Sequence, residues 1–184
     1  MKVIDAALDG LMLLEPRVFP DDRGFFLESW NAATFRTLGI EAAFVQDNHS
    51  GSVRGTLRGL HYQSAVPQGK LVRVLAGEIL DVAVDIRPGS PTFGQWRAWR
   101  LDAVRHRMLW VPRGFAHGFL ALAEWVEVAY KCDAPYHRDS EVSIRWDDPE
   151  IGIDWGLAEV GTPRLSPKDA AGVTLREAPI VQLG

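Results

Sequence analysis

The clearest regularity along the chain is an alternation of apolar and polar side chains. Leu80, Val82, Val84 and Ile86 point one way, while Asp81, Asp85 and Arg87 point the other. In WVEVAYKC, the residues Val126, Val128, Tyr130 and Cys132 share a face opposite Glu127 and Lys131. The runs LMLLEPRV, GFFLESW, LVRVLA, QWRAWRL, RMLWVP, HGFLAL and EVSIRW also read as strands, and turn-rich gaps such as AGE, RPGSPTFG and DAVRH separate many of them. Many short strands at regular spacing predict an all-β fold, an antiparallel double-sheet jelly roll. Two short helices are expected within it. Asn31 can cap AATFRTL, with Gly39 just beyond its end. Ser166 followed by Pro167 opens SPKDAAG, and Gly172 closes it.

Composition narrows the reading only slightly. A chain of 184 residues, 47% apolar and 24% charged, suits one globular domain, residues 1–184, with no repeat or linker to divide it. Lys and Arg number 20 against 24 for Asp and Glu, a net charge of −4, so no basic excess points to nucleic acid. Cys132 is the only cysteine, which excludes an internal disulfide and fits a reducing cytoplasm. The N-terminal MKVIDAALDGLMLLEPR, with Asp5, Asp9 and only a short apolar run, reads as neither signal peptide nor membrane span.

Several chemistries drop out. The chain has no Walker phosphate loop, G-x-G-x-x-G, H-E-x-x-H or G-x-S-x-G. A jelly-roll metal centre often presents H-x-H from one strand, but this run is His61-Tyr62-Gln63, and His49, His106, His117 and His137 are scattered. No bound metal is expected. Acid–base chemistry remains. A neutral histidine accepts a proton near neutrality, and a tyrosine stays protonated and can return one. Strand parity points Tyr62 away from His61, whereas Tyr130 lies on the apolar face of its own strand and is the better internal donor.

Nine segments, DDRGFFLESW, FVQDNHS, RGLHYQ, PQGKLVRV, GEILDVAVDIR, TFGQW, VPRGFAHGF, YKCDAPYHRDSE and LSPKD, run in order from about residue 16 to residue 170. Together they resemble the dTDP-4-dehydrorhamnose 3,5-epimerase family. The resemblance implies a cupin-type jelly roll acting as a homodimer, with a dTDP-sugar substrate and no metal or organic cofactor; the cytoplasmic location is expected from the lone cysteine and the N-terminal segment. It implies epimerisation at C3 and C5 of dTDP-4-dehydro-6-deoxy-D-glucose through enolates, on the route to dTDP-L-rhamnose. By the same resemblance His61 is the base, Tyr130 the acid for C5, Lys70 a substrate-contacting lysine and Asp169 the carboxylate that orients the histidine. Arg23 and Arg58 match its arginines, suited to a diphosphate. Glu28, Gln46, Asn48, His117, Glu141 and Lys168 match other substrate positions, and Tyr136 matches an aromatic that stacks on thymine.

Three local alternatives stay open in the sequence. Arg58 and His61 are three apart and would face opposite sides of a regular strand, unless the chain bulges near Gly59 or the two serve different subsites. Asp169, three residues after Ser166, suits a helix cap as well as a histidine partner. Arg23, beside Asp21 and Asp22, also reads as a solvated turn pair. Competing functions are a relative inverting a single centre, a metal-dependent cupin lacking an evident ligand cluster here, and a non-catalytic sugar-nucleotide binder with no use for His61 and Tyr130.

Overall fold

The computed structural model describes residues 1–183; Gly184, the last residue of the expected domain, lies outside the described residues. Two antiparallel sheets stack face to face. The larger has the order β1-β2-β10-β7-β12-β5, built from Lys2–Leu8, Leu11–Glu15, Met108–Val111, Lys70–Ala76, Trp125–Cys132 and Gln46–Val53. The smaller is β13-β6-β11-β8-β9, built from Glu141–Ser143, Leu57–Gln63, Phe115–Ala121, Glu78–Asp85 and Trp96–Asp102. A separate hairpin, β3 (Val18–Asp21) with β4 (Gly24–Leu27), is hydrogen-bonded into neither sheet. The jelly-roll expectation holds.

Alternation sorts the side chains into layers. Val72, Val74, Leu109, Val111, Val126 and Val128 from the larger sheet meet Ile79, Ala83, Phe115 and Phe119 from the smaller one. Behind the smaller sheet, Leu57, Leu60, Tyr62, Val82, Val84, Ala116 and Leu120 pack under the C-terminal segment with Ile151, Trp155 and Val181. Behind the larger sheet, helix α1 (Ala32–Thr37) buries Phe35 against Leu14, Leu71, Met108 and Trp110. Asn31 caps α1 through the amides of Ala33 and Thr34, as its sequence position suggests.

Three expected strands need correction, and EVSIRW is one: its strand, β13, ends at Ser143, leaving Ile144 as an isolated bridge to Val173. LMLLEPRV splits into β2 and β3, because Pro16 and Arg17 lie between two separate pairings. GFFLESW stops at Leu27, since Ser29 to Asn31 lead into the capped helix. Two strands were not anticipated. β1 is an edge strand with Lys2–Ala6 exposed, so no buried face marks it. β5 reads QDNHSGSV, a sequence too polar to suggest a strand.

Candidate active site

The β6 strand carries the decisive local feature. Its pairing with β11 joins His117 to His61 and then Phe119 to Arg58, so three steps on β6 match two on β11. That extra residue is a bulge, and it reverses side-chain parity. Leu57 and Leu60 therefore both face the outer cluster, while Arg58 and His61 both line one cavity. Gly59 permits this turn. Its φ is +111°, and a Cβ there would lie 2.6 Å from the His117 carbonyl oxygen. The conflict between Arg58 and His61 resolves as a bulge.

Helix α2 (Pro167–Ala170) is held by parallel bridges on both sides of its segment, Arg164 with Thr56 just before β6 and Val173 with Ile144 just after β13. Ser166 caps it by accepting from the Asp169 amide at 3.1 Å. Asp169 then performs both of the roles that its sequence position suits. One carboxylate oxygen accepts from His61 Nε2 at 2.5 Å and from the Gly59 amide at 3.2 Å; the other accepts from Ser166 Oγ at 2.6 Å. Burial pushes the Asp169 carboxyl up, but these hydrogen bonds outweigh it and leave a pKa of about 2. Burial also lowers the His61 pKa, with Asp169 opposing and Lys168 and Lys70 reinforcing the fall. The result is a neutral imidazole beside an ionised carboxylate. Its Nε2 carries the hydrogen, so Nδ1 holds the free lone pair.

Tyr130 stands on β12 of the opposite sheet and lines the same cavity of about 270 Å³. Burial raises its phenol pKa, with Cys132 adding to the rise and Arg58 opposing, so it remains protonated. Lys70, on the neighbouring β7, also lines the cavity, with His117, Glu141 and Lys168. Burial lowers the Lys70 ammonium's pKa against the opposing influence of Cys132, Asp81 and Glu141. An adjoining space of about 370 Å³ shares His61, Lys70, Tyr130, Glu141 and Lys168, and adds Gln46, Asn48 and Tyr136. There Tyr136 is 52% exposed, and its hydroxyl donates to Glu141 Oε2 at 2.9 Å. Lys168 Nζ donates to the other Glu141 oxygen at 2.7 Å. Arg58 is steadied from behind, donating to Ser52 Oγ at 3.1 Å and the Gly51 carbonyl at 3.0 Å.

Two expected site residues lie elsewhere. Arg23, at the tip of the β3–β4 hairpin, has an 89% exposed side chain and pairs with Asp21 at 2.6 Å. Glu28 accepts from Asn31 Nδ2 at 2.9 Å and Thr34 Oγ1 at 3.3 Å, beside the start of α1. Neither touches the cavity within this chain. Conversely, Ser50 lines the cavity with its hydroxyl buried and unpartnered, and Asp81 accepts from His117 Nε2 at 2.7 Å. Neither was anticipated. The alternation Gln46, Asn48, Ser50, Ser52 was the available signal, once β5 is understood as a strand with a polar inner face. Among the described residues, no group of three His, Cys, Asp or Glu side chains is arranged to hold a metal ion. A larger, mostly apolar cleft of about 470 Å³ lies behind β6, beside Tyr62 and Pro179, and contains none of the expected site residues.

Residues 5–177 match the family model described as dTDP-4-dehydrorhamnose 3,5-epimerase. The chain belongs to this family. A Pseudomonas aeruginosa dTDP-4-dehydrorhamnose 3,5-epimerase is 52% identical over 179 residues, covering 97% of this chain and 98% of that one. A crystal structure of the Legionella pneumophila dTDP-6-deoxy-D-glucose-3,5-epimerase, in complex with dTDP-4-keto-L-rhamnose, superposes with a TM-score of 0.93 at 49% identity and covers 99% of both chains. A 3'-monoepimerase from Streptomyces bikiniensis, in complex with dTDP-quinovose, is more distant: 35% identity, a TM-score of 0.87, and coverage of 94% and 87%. The segments RGLHYQ, YKC and LSPKD place His61, Tyr130 and Asp169 around the cavity.

Proposed function

We propose that this chain is an isomerase that epimerises dTDP-4-dehydro-6-deoxy-D-glucose at C3 and C5 to dTDP-4-dehydro-L-rhamnose, in dTDP-L-rhamnose biosynthesis. The observation that carries the reading is a neutral histidine and a protonated tyrosine on opposite walls of one cavity. Hydrogens on C3 and C5 are acidic because each carbon adjoins the C4 carbonyl. His61 Nδ1 takes the C5 hydrogen as Asp169 stabilises the resulting imidazolium. The enolate oxygen at C4 gains charge, and the Lys70 ammonium is the cation suited to meet it. Tyr130 returns a proton from the opposite wall, which inverts the centre. Substrate and product are isomers, so the chemistry balances without an oxidant or reductant.

The nucleotide half lies toward Gln46, Asn48 and Tyr136, where the exposed phenol ring offers a platform for thymine. Arg58 supplies a fixed guanidinium for the diphosphate. Arg23 and Glu28 come from a second copy of the chain in a homodimer. Supporting this, the hairpin that carries Arg23 exposes Phe25 at 60% and Phe26 at 70%, an apolar surface suited to burial against a partner. The chain works as a single epimerase domain. Among the described residues, no helix is long and apolar enough to cross a membrane, and a cytoplasmic location suits both that and the nucleotide substrate.

Proton NMR of the purified protein with the 4-keto sugar nucleotide in heavy water tests the function. Solvent deuterium at both C3 and C5 with an L-configured product is expected. Exchange at one carbon alone would instead assign a monoepimerase.

A further inference from the structure

Asp81 is a fully buried carboxylate on β8, with no exposed surface. One of its oxygens accepts from His117 Nε2 at 2.7 Å; the other is buried and has no hydrogen-bond partner. Leaving a buried charged oxygen without a donor is costly, typically more than the 1–3 kcal/mol of a neutral group. Packing alone gives no reason for an acid at this position. The neighbouring inward residues of β8, Ile79 and Ala83, are apolar members of the core.

The location supplies a reason. His117 and His61 are direct cross-strand partners, so both rings enter the cavity from the same sheet. Each is tied through Nε2 to a buried carboxylate, Asp169 for His61 and Asp81 for His117. Lys70 enters from the facing sheet, and Asp81 is among the anionic groups acting on its ammonium.

We propose that Asp81 is a positioning residue for the epimerisation: it fixes the His117 ring, and its unbonded oxygen puts negative charge on the inner face of β8, across from the sheet that carries Lys70. The inference rests on the epimerase reading above. Other charged and titratable groups around Lys70 are Cys132 on β12, Glu141 on β13, Lys168 on α2 and His61 on β6. Glu141 is already engaged by Lys168 and Tyr136. Cys132 is held in its neutral thiol form, burial raising its pKa. Asp81 is therefore the carboxylate with an oxygen to spare.

The test is Asp81→Asn, which keeps shape and a hydrogen-bond acceptor but removes charge. With dTDP-4-dehydro-6-deoxy-D-glucose as substrate, kcat should fall about 10- to 100-fold, and KM and the Kd for dTDP should change little. The alkaline limb of the kcat profile should move toward lower pH, as loss of a nearby anion lets Lys70 deprotonate earlier. An unmoved limb with only a lowered Tm would overturn the proposal in favour of a structural role. If the variant does not fold, nitrogen-15 histidine NMR of the unmodified protein decides. The hydrogen on the His117 ring should sit on Nε2, facing Asp81; a bare Nε2 would overturn the inference. Absence of hydrogen exchange by the unmodified protein would instead sink the epimerase reading itself.

Discussion

Arg58 and His61 are three residues apart on β6, yet both project into the same cavity, because the strand carries one extra residue at Gly59 relative to β11. The bulge places the proposed diphosphate-binding cation, Arg58, and the proposed base, His61, on one wall. A Cβ at Gly59 would press on the His117 carbonyl at 2.6 Å and on Gly118 Cα at 2.7 Å, at a φ that L residues avoid. Gly59→Ala should destabilise the fold by at least about 1–3 kcal/mol. At about 2–4 °C per kcal/mol, Tm should fall by several degrees. Activity should fall further than folding alone explains, since Arg58 and His61 lose their common orientation. Calorimetry with kinetics checks both; an unaltered Tm would contradict the bulge geometry.

Asp169 couples stability to pH. Its carboxyl is held at about 2 against an ordinary 3.8, by His61, Ser166 and Gly59 acting against burial. A depressed carboxyl stabilises the fold fully above its unfolded pKa and ceases to as pH falls through its folded pKa. The shift corresponds to about 2 kcal/mol. The Tm difference between the unmodified protein and Asp169→Asn should be steady from pH 7 to about 5 and shrink between about 4 and 2. A difference that persisted unchanged to pH 2 would contradict the assignment.

The sequence made the architecture legible where one face was apolar and the other polar, as in β8 and β12. It failed at β5 because the inner face of that strand serves the site rather than the core: Gln46, Asn48 and Ser50 line it, and Ser52 holds Arg58. A functional wall thus hid the strand that bears it. β1 escaped notice because an exposed edge has no alternation to show. His61, Tyr130, Lys70 and Asp169 were named from the family's segments, and the fold gathers all four around one cavity. Asp81 looked like one polar position of an amphipathic strand; only the packing of two sheets reveals it facing inward. Arg23 and Glu28 stand outside the cavity, and a single chain contains no information about a surface that a second copy would complete.

That last point gives a prediction about assembly. Arg23→Ala should weaken dTDP binding although Arg23 is remote from the cavity of its own chain, and should leave Tm nearly unchanged, since an exposed pair with Asp21 adds little to stability. Mixing Arg23→Ala subunits with His61→Ala subunits should restore activity, because one of the two sites in each hybrid dimer would then hold both residues. Hybrids as inactive as either parent would count against a shared site.

Tyr136 offers a separate test of the nucleotide end. Removing its ring with Tyr136→Ala should raise the Kd for dTDP roughly tenfold, within the range for loss of base–aromatic stacking. Its hydroxyl also bonds Glu141, so Tyr136→Phe serves as the control and should bind dTDP almost normally. Equal losses in both variants would assign the effect to the Glu141 contact instead.

The acid on the facing wall should act selectively. Tyr130→Phe keeps the ring packed against the core and removes only the hydroxyl that carries the proton. Inversion at C5 should slow by about 10²- to 10⁴-fold, with dTDP affinity retained. A normal rate of C5 inversion would exclude Tyr130 as the donor.

The most direct measurement of the central claim follows deuterium incorporation in heavy water by His61→Asn, with dTDP affinity measured on the same sample. An imidazole held neutral beside ionised Asp169 is the proposed base for both carbons. Exchange at C3 and C5 should vanish while dTDP still binds. Exchange continuing at both carbons at the unmodified rate would contradict the account.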